Sequence, residues 1–536
     1  MDTSLLINQS SSNFSSDMTK LIEEILQRHL QPEDQYEVAA LLESMGWNDS
    51  RVVAIFGLED VFDLASSIWE QMQKKILFTD IAQVEKLTFA QLSIEMIRNF
   101  LRGLIFALPM AVSVVSMITL KFSLWSYEHL STDLATSIAI GTILSFVCVG
   151  GFTQAIARRG FFYIMQGYYN MARRVTFHFI GLGFLVTFVG SILIFILNFL
   201  FNLYPLYMMS MTILFFFFLT TIWLSVTVMY ILKKEIMFTG LIAAGILIVF
   251  ILYELFNVYI LIAQLIALCI VSLASIILVL YYFKKAESRM EAGIAVALPK
   301  MSVAIYSVMP YFFYGFLYFS FLFIDRLVSW STNNEFMPYL IWFRGEYELG
   351  LDFALLLLML PMGISEVIVS KFMIDLQASQ KIFSGMDTEK LNRTFLNIYY
   401  KHLGLISITA LVSALMIYYG AQIIYTEFSL AIGDNLFEVP VTQLVFIWAI
   451  VSYAIVCLGL MNAVILFSLS RPDQVIRAII PAITVNVTVG FLLSRWFDYY
   501  FAIFGLLAGS IVFAILSSIN TVKVIKKLDY NLYAQS

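Results

Sequence analysis

The chain has 536 residues, of which 60% are hydrophobic and 13% charged, against about 45–50% apolar and about 25% charged in an average soluble domain. That balance argues against an ordinary soluble enzyme. The charge is also uneven: the first 100 residues hold 7 Lys+Arg and 16 Asp+Glu, a net of −9, whereas residues 101–536 carry a net of +4. An acidic, polar head precedes an apolar body.

The N-terminus, MDTSLLINQSSSNF, has no basic stretch followed by an apolar one, so no cleavable signal peptide is expected there. Residues 1–80 read as a cytoplasmic acidic helical domain. Leu21, Ile22 and Ile25 recur at helical spacing, as do Val38, Leu41, Leu42 and Met45, and then Val61, Leu64, Ala65 and Ile68. Turn signals at Gln31-Pro32 and Gly46-Trp47-Asn48-Asp49 separate these runs, with Asn48 or Asp49 as an N-cap. The segment 39–47 with the two short helices after it resembles the three-helix ubiquitin-associated type of module. Residues 81–101 are expected to form an amphipathic linker helix lying at the inner membrane interface.

Beyond residue 101 the apolar runs dominate. A helix needs roughly 20 apolar residues to cross a hydrocarbon layer about 30 Å thick. Twelve stretches qualify: 104–120, 134–157, 175–201, 206–232, 236–253, 258–283, 303–324, 353–369, 404–425, 441–469, 475–493 and 501–522. The fold expected is an all-α polytopic membrane protein. Residues 102–283 form a first six-helix bundle, 284–302 a cytoplasmic linker, and 303–536 a second six-helix bundle with a cytoplasmic tail. Lys and Arg of short loops stay on the cytoplasmic side. One alternating set of segments carries 21 basic residues and the other only Lys121, Arg326, Arg344 and Arg495, which places both termini inside. The opposite set holds 12 acidic residues, so the outer face is negative.

Two halves with an even number of spans are related by an axis along the membrane normal. Superimposing them sets Pro109 of the first span against Pro310 of the seventh. Proline removes a backbone donor and tends to kink a helix, and paired interruptions mark the cavity-lining elements of alternating-access transporters.

The densest group of ionisable residues near the membrane follows the seventh span: Asp325, Arg326 and Trp330, then Arg344, Glu346, Tyr347, Glu348 and Asp352. A charge at mid-bilayer costs about 2.5–3.5 kcal/mol on insertion scales, so such residues pair or face water. Asp325 and Arg326 can pair with charges of the eighth span, while Trp330, Trp342 and Tyr347 offer flat faces suited to sugar rings. The alternative is an interfacial aromatic belt with charged anchors. Glu366 is a candidate for ion coupling, or else a partner for Lys371.

Phosphate-binding, HExxH and GxSxG motifs are missing from the sequence. The four histidines lack ligand spacing, and Cys148, Cys269 and Cys457 lie in apolar runs. Neither a cofactor, a metal nor a nucleic-acid partner is expected, and the chain does not read as an enzyme.

The segment 298–401 resembles the corresponding part of PelG-type exopolysaccharide transporters. It carries Asp325-Arg326-x-x-x-Trp330 at the end of one span, Arg344-x-x-Tyr347-Glu348-x-Gly350-x-Asp352 leading into the next, and a polar amphipathic helix after it. Such transporters belong to the MOP superfamily, with the MATE exporters and lipid-linked-sugar flippases. The resemblance implies two bundles around a central cavity and rocker-switch export of an exopolysaccharide or lipid-linked sugar across a bacterial inner membrane. A cytoplasmic glycosyltransferase or synthase would be its partner. In that reading Asp325, Arg326, Trp330, Arg344, Tyr347, Glu348 and Asp352 form or gate the polar path. The long segment before the first span departs from the family's pattern. The rival readings are an ion-coupled small-molecule antiporter of MATE type, with Glu366 as coupling carboxylate, and a membrane-embedded polysaccharide polymerase or ligase.

Overall fold

The computed structural model describes residues 35–78, 89–127, 129–288, 301–332, 337–382, 388–432 and 439–533, with Met18, Leu21, Ile22 and Ile25. Among them regular structure is helical, apart from one isolated bridge between Phe122 and Tyr127. The chain divides into two compact units, Met1–Ile94 and Glu95–Ser536.

The first unit contains α1 (Gln35–Ser44), α2 (Asp49–Phe56) and α3 (Val61–Phe78). Asn48 is the N-cap of α2. Its side chain accepts from the Arg51 N–H at 2.9 Å and so satisfies one of the donors that a helix start leaves free. Gly57, at φ 65°, closes the same helix in the left-handed conformation that glycine adopts without a Cβ penalty. Val38, Leu42, Val52, Leu64, Ala65 and Ile68 meet in one small core with Ile25. All of these but Val52 are apolar positions that the helical spacing picks out.

The second unit is the membrane body. Its helices are α4 (Phe89–Leu120), α5 (Thr132–Met165), α6 (Tyr169–Phe201), α7 (Leu206–Ile231), α8 (Glu235–Phe250) and α9 (Ile260–Glu287). There follow α10 (Met301–Trp330), α11 (Gly345–Leu355), α12 (Met359–Ile382), α13 (Thr388–Ile432), α14 (Pro440–Ser468), α15 (Pro472–Trp496), α16 (Ile503–Ile525) and a short α17 (Leu528–Tyr533). Among the described residues eleven spans are long and apolar enough to cross a membrane, and the bent α4 makes a twelfth. Residues 81–88 of the expected linker lie outside the described residues. From Phe89 onward that segment is continuous with the first span.

Burial repeats along the chain. The buried share of the apolar centre of each span runs 50, 17, 56, 33 and 50% through α5–α9, and 44, 17, 56, 33 and 50% through α11–α16, with α11 and α12 forming one span. The third helix of each bundle, α6 or α13, therefore lies at the rim with side chains such as Leu193 and Leu411 uncovered. One apolar core runs from Phe122 to Val308 and another is built mainly from Tyr314 to Leu528. These are two bundles of six, in the same order.

The bundles meet twice in one pattern, towards the end that carries most of the basic loops. In each case the first and fourth helices of one bundle touch the second helix of the other. Asn99 of α4 donates to Ser370 of α12 at 3.1 Å, and Tyr230 of α7 donates to Glu366 at 3.4 Å. On the other side Arg158 of α5 lies over the Tyr311 ring of α10 and donates to Ser470, just past α14, at 2.9 Å. Glycines set how close the backbones come. A Cβ on Gly315 would lie 2.1 Å from the Gly150 carbonyl oxygen, and one on Gly103 would lie 2.7 Å from the Gly363 Cα. Small residues at such crossings maximise packing where lipid supplies no hydrophobic drive.

Two of the irregular spans lie at the junction of the bundles. Helix α4 turns by 49° between Ile94–Ile105 and Ala107–Met117, at the carbonyl four residues before Pro109 that the proline ring displaces. Helix α10, by contrast, is one helix through Pro310. The span of α11 and α12 is interrupted by a 3-10 turn, Leu356–Leu358. The Ser413 hydroxyl donates to the Leu357 carbonyl at 2.7 Å, so the carbonyl at the break keeps a donor in a medium without water.

Candidate functional site

The sequence places Glu346 to Asp352 in an outer segment, but α11 starts at Gly345 and these acidic residues occupy its first two turns. Helical geometry puts residues four apart on one face, so Glu348 and Asp352 both reach the end of α10. There Arg326 is held between them: Nη1 lies 2.7 Å from Glu348 Oε1, and Nη2 donates to Asp352 Oδ1 at 3.2 Å. The guanidinium also lies 4.9 Å from the centre of the Phe323 ring one turn earlier. Beside it Asp325 is fully buried, and Tyr347 donates to its Oδ2 at 2.9 Å. An isolated ion in such a place carries a penalty of several kcal/mol, which explains why each charge has a partner close by.

The pairing is incomplete in a way that matters. Three carboxylates surround one guanidinium, so acceptors outnumber donors. Asp325 Oδ1, Glu348 Oε2, Arg326 Nε and the Tyr453 hydroxyl of α14 are buried without a hydrogen-bond partner among the described residues. Most buried polar atoms in native proteins are satisfied. No sequence pattern marks Tyr453, because it lies 101 residues beyond Asp352 within an apolar run and only the fold brings it within electrostatic reach of all four charges. Asp325 is buried, whereas 51% of the Asp352 side-chain surface is accessible. The cluster is therefore open on the Asp352 side and closed at Asp325.

Arg344 and Trp330 lie apart from this cluster. Arg344 precedes α11 and donates to the Thr332 carbonyl at 3.2 Å, with its guanidinium 4.3 Å from the Tyr499 ring centre. Arg495 of α15 donates to the carbonyls of Val328 and Ser331. Two arginines thus complement the carbonyl end of α10, where the helix dipole is negative. Trp330 is 1% exposed and packs against Phe343, and Tyr347 is 0% exposed, so neither presents a face to a ring. The stacked aromatic surface is elsewhere: Phe146 of α5 lies 4.6 Å from Trp223, and 5.4 Å from both Phe319 and Phe323 across the seam.

Glu366 stands apart, at the junction towards the basic loops. Its hydrogen bond comes from Tyr230 rather than from Lys371, and Arg102 is within electrostatic reach.

At the opposite end, residues 337–344 cross from the second bundle to the first. Trp342 N–H donates to the Trp330 carbonyl at 3.0 Å on one side. On the other, Phe343 N–H donates to Thr136 Oγ1 at 3.1 Å, and Tyr204 OH donates to the Ile341 carbonyl at 3.0 Å. Tyr204 also packs against the Tyr339 ring at 5.2 Å. Burial pushes the Tyr204 phenol up to about 12, which keeps it a donor at any physiological pH.

No family model matches the sequence, and no curated protein matches it. Solved structures do resemble the fold. A eukaryotic MATE transporter, AtDTX14, aligns with a TM-score of 0.55 at 13% identity, covering 81% of this chain and 99% of that one. A variant of the Vibrio cholerae MATE transporter VcmN aligns with a TM-score of 0.56 at 12% identity, over 83% and 99%. A MOP superfamily transporter from Pyrococcus furiosus aligns with a TM-score of 0.52 at 13% identity, over 80% and 96%. At such identities the likeness establishes the fold alone: a multi-pass membrane protein with the architecture of MATE transporters.

Proposed function

We propose that the protein moves a hydroxyl-rich cargo, an exopolysaccharide or lipid-linked sugar, across a bacterial inner membrane by alternating access between its bundles. The observation that carries this reading is Asp352, a half-accessible carboxylate bonded to the buried Arg326 in the second bundle. With Glu348 and Asp325 it leaves more acceptors than Arg326 and Tyr347 can fill, and sugar hydroxyls are donors that complement such a surplus. The resemblance of residues 298–401 to PelG-type transporters supports the same cargo. The basic loops and both termini would face the cytoplasm, where the acidic head or the loops would hold a glycosyltransferase or synthase.

The test is surface polysaccharide in cells carrying Asp325→Asn, Arg326→Gln or Asp352→Asn, with membrane protein levels measured in parallel. Polymer output should fall at least tenfold while the protein stays in the membrane. Unchanged output in all three would overturn the assignment.

A second reading, an ion-coupled small-molecule antiporter, is favoured by Glu366, a carboxylate bonded across the junction to Tyr230. Proton- or sodium-dependent efflux from vesicles that Glu366→Gln abolishes would select it.

A further inference from the structure

The loop between α10 and α11 is more than a connection. Its residues are anchored in the second bundle by the Trp342–Trp330 backbone bond and by Phe343 against the Trp330 ring. They are held to the first bundle by two neutral hydrogen bonds, Phe343 to Thr136 and Tyr204 to Ile341, and by the Tyr204–Tyr339 ring contact. The receiving side is shaped in advance. Tyr204 N–H donates to Asn198 Oδ1 at 2.8 Å, Asn198 Nδ2 donates back to the Tyr204 carbonyl at 3.0 Å, and Asn202 takes the left-handed conformation at φ 47°. That turn fixes the phenol where Ile341 arrives.

The loop also leads directly into the charged site. Three residues after Arg344, Tyr347 holds Asp325, and Glu348 then holds Arg326. A pull on the loop when the bundles part is therefore applied to the first turn of α11.

We propose that residues 337–344 are a latch: Tyr204 and Thr136 hold the bundles together at the acidic end, and releasing them opens that end and loads strain onto the Arg326–Glu348 pair. This rests on the alternating-access reading, because a latch has meaning only if the bundles separate. Neutral bonds suit the task, since each is individually weak in a membrane protein and easily exchanged for water.

The experiment uses full-length protein in lipid nanodiscs, with Cys148, Cys269 and Cys457 replaced by alanine. Spin labels at Tyr259→Cys and Phe497→Cys, both exposed, report the acidic end. A second pair at Met237→Cys and Lys523→Cys reports the other end. Tyr204→Phe keeps the ring and removes only the donor, and Thr136→Val keeps the shape and removes the acceptor. Each should raise the ratio of open to closed molecules at the acidic end about threefold, and the double variant close to tenfold. Monodisperse double variant with the parent's distance distribution would overturn the latch, whatever the parent does. Opening at the acidic end with no narrowing at the other would keep the latch and count against alternating access.

Discussion

The two bundles share one plan and differ in chemistry. Their spans repeat the same burial sequence, and the first and fourth helices of each lie on the second of the other. In the first bundle the buried polar groups within the spans include hydroxyls and amides such as Thr187, Ser191, Ser275 and Gln264, and its Arg173–Glu287 ion pair sits near the end of α9. In the second, Asp325, Arg326, Glu348 and Asp352 stand inside the span region. Duplicated architecture thus keeps helix positions, because packing fixes them, while ionic chemistry collects in one half. A membrane tolerates buried charge only where function or pairing holds it there, which makes the second bundle the place to look for cargo contact.

Arg326 should break that difference most severely. In Arg326→Ala, Glu348 and Asp325 remain buried beside a lost counter-charge, and stability should fall by about 3–5 kcal/mol. Replacing Glu348→Gln in the same chain removes part of the uncompensated charge, so the double variant should be more stable than the single one. Thermal unfolding in nanodiscs reads both. A double variant as unstable as the sum of its singles would mean that the pair does not act as a unit.

The seam between bundles is the next test. Gly315→Leu forces side-chain atoms into the space of the Gly150 carbonyl, and overpacking of this kind costs about 1–3 kcal/mol. Gly240→Ala, where a Cβ meets nothing within 4 Å, should change unfolding by less than about 0.5 kcal/mol apart from any gain in helix propensity. Equal effects at the two positions would show that the glycines do not set the bundle spacing. Within the charged site, Tyr347→Phe leaves Asp325 without its hydroxyl donor, and a loss of about 1–2 kcal/mol is expected. Its size relative to Arg326→Ala separates the hydrogen bond from the charge.

Much of this was readable from the chain. Twelve apolar runs and the bias of the basic segments fix the number of spans, since both depend on local composition alone. Asp325, Arg326, Tyr347, Glu348 and Asp352 are brought together because Asp325 and Arg326 are adjacent, Glu348 and Asp352 share a helical face, and Tyr347 directly precedes Glu348. Where the structure departs from the local sequence pattern, tertiary pairing is responsible. Glu346 to Asp352 look like loop because they are charged, but Arg326 and the hydroxyl of Tyr499, which donates to Glu346 at 3.1 Å, let a helix form there. Trp330 and Tyr347 look like sugar platforms, yet the core encloses them. Tyr453, the Thr136 and Tyr204 contacts and the glycine seam connect residues far apart in sequence, so no local periodicity marks them.

The smallest expected effect sharpens the contrast between the bundles from the other side. Arg173 and Glu287 lie 2.6 Å apart, but 41% of the arginine and 24% of the glutamate side-chain surface is exposed. Exposed ion pairs contribute about 0–1 kcal/mol, because water solvates both charges and mobile ions screen them. Arg173→Ala should therefore lower stability by less than about 1 kcal/mol at low salt, with the difference vanishing as ionic strength rises. The Arg326 variant should show less salt dependence, because Arg326 and Glu348 are 6% and 14% exposed. If Arg173→Ala proved as damaging as Arg326→Ala and equally insensitive to salt, the first bundle too would depend on a shielded charge, and the division of chemistry between the halves would fail.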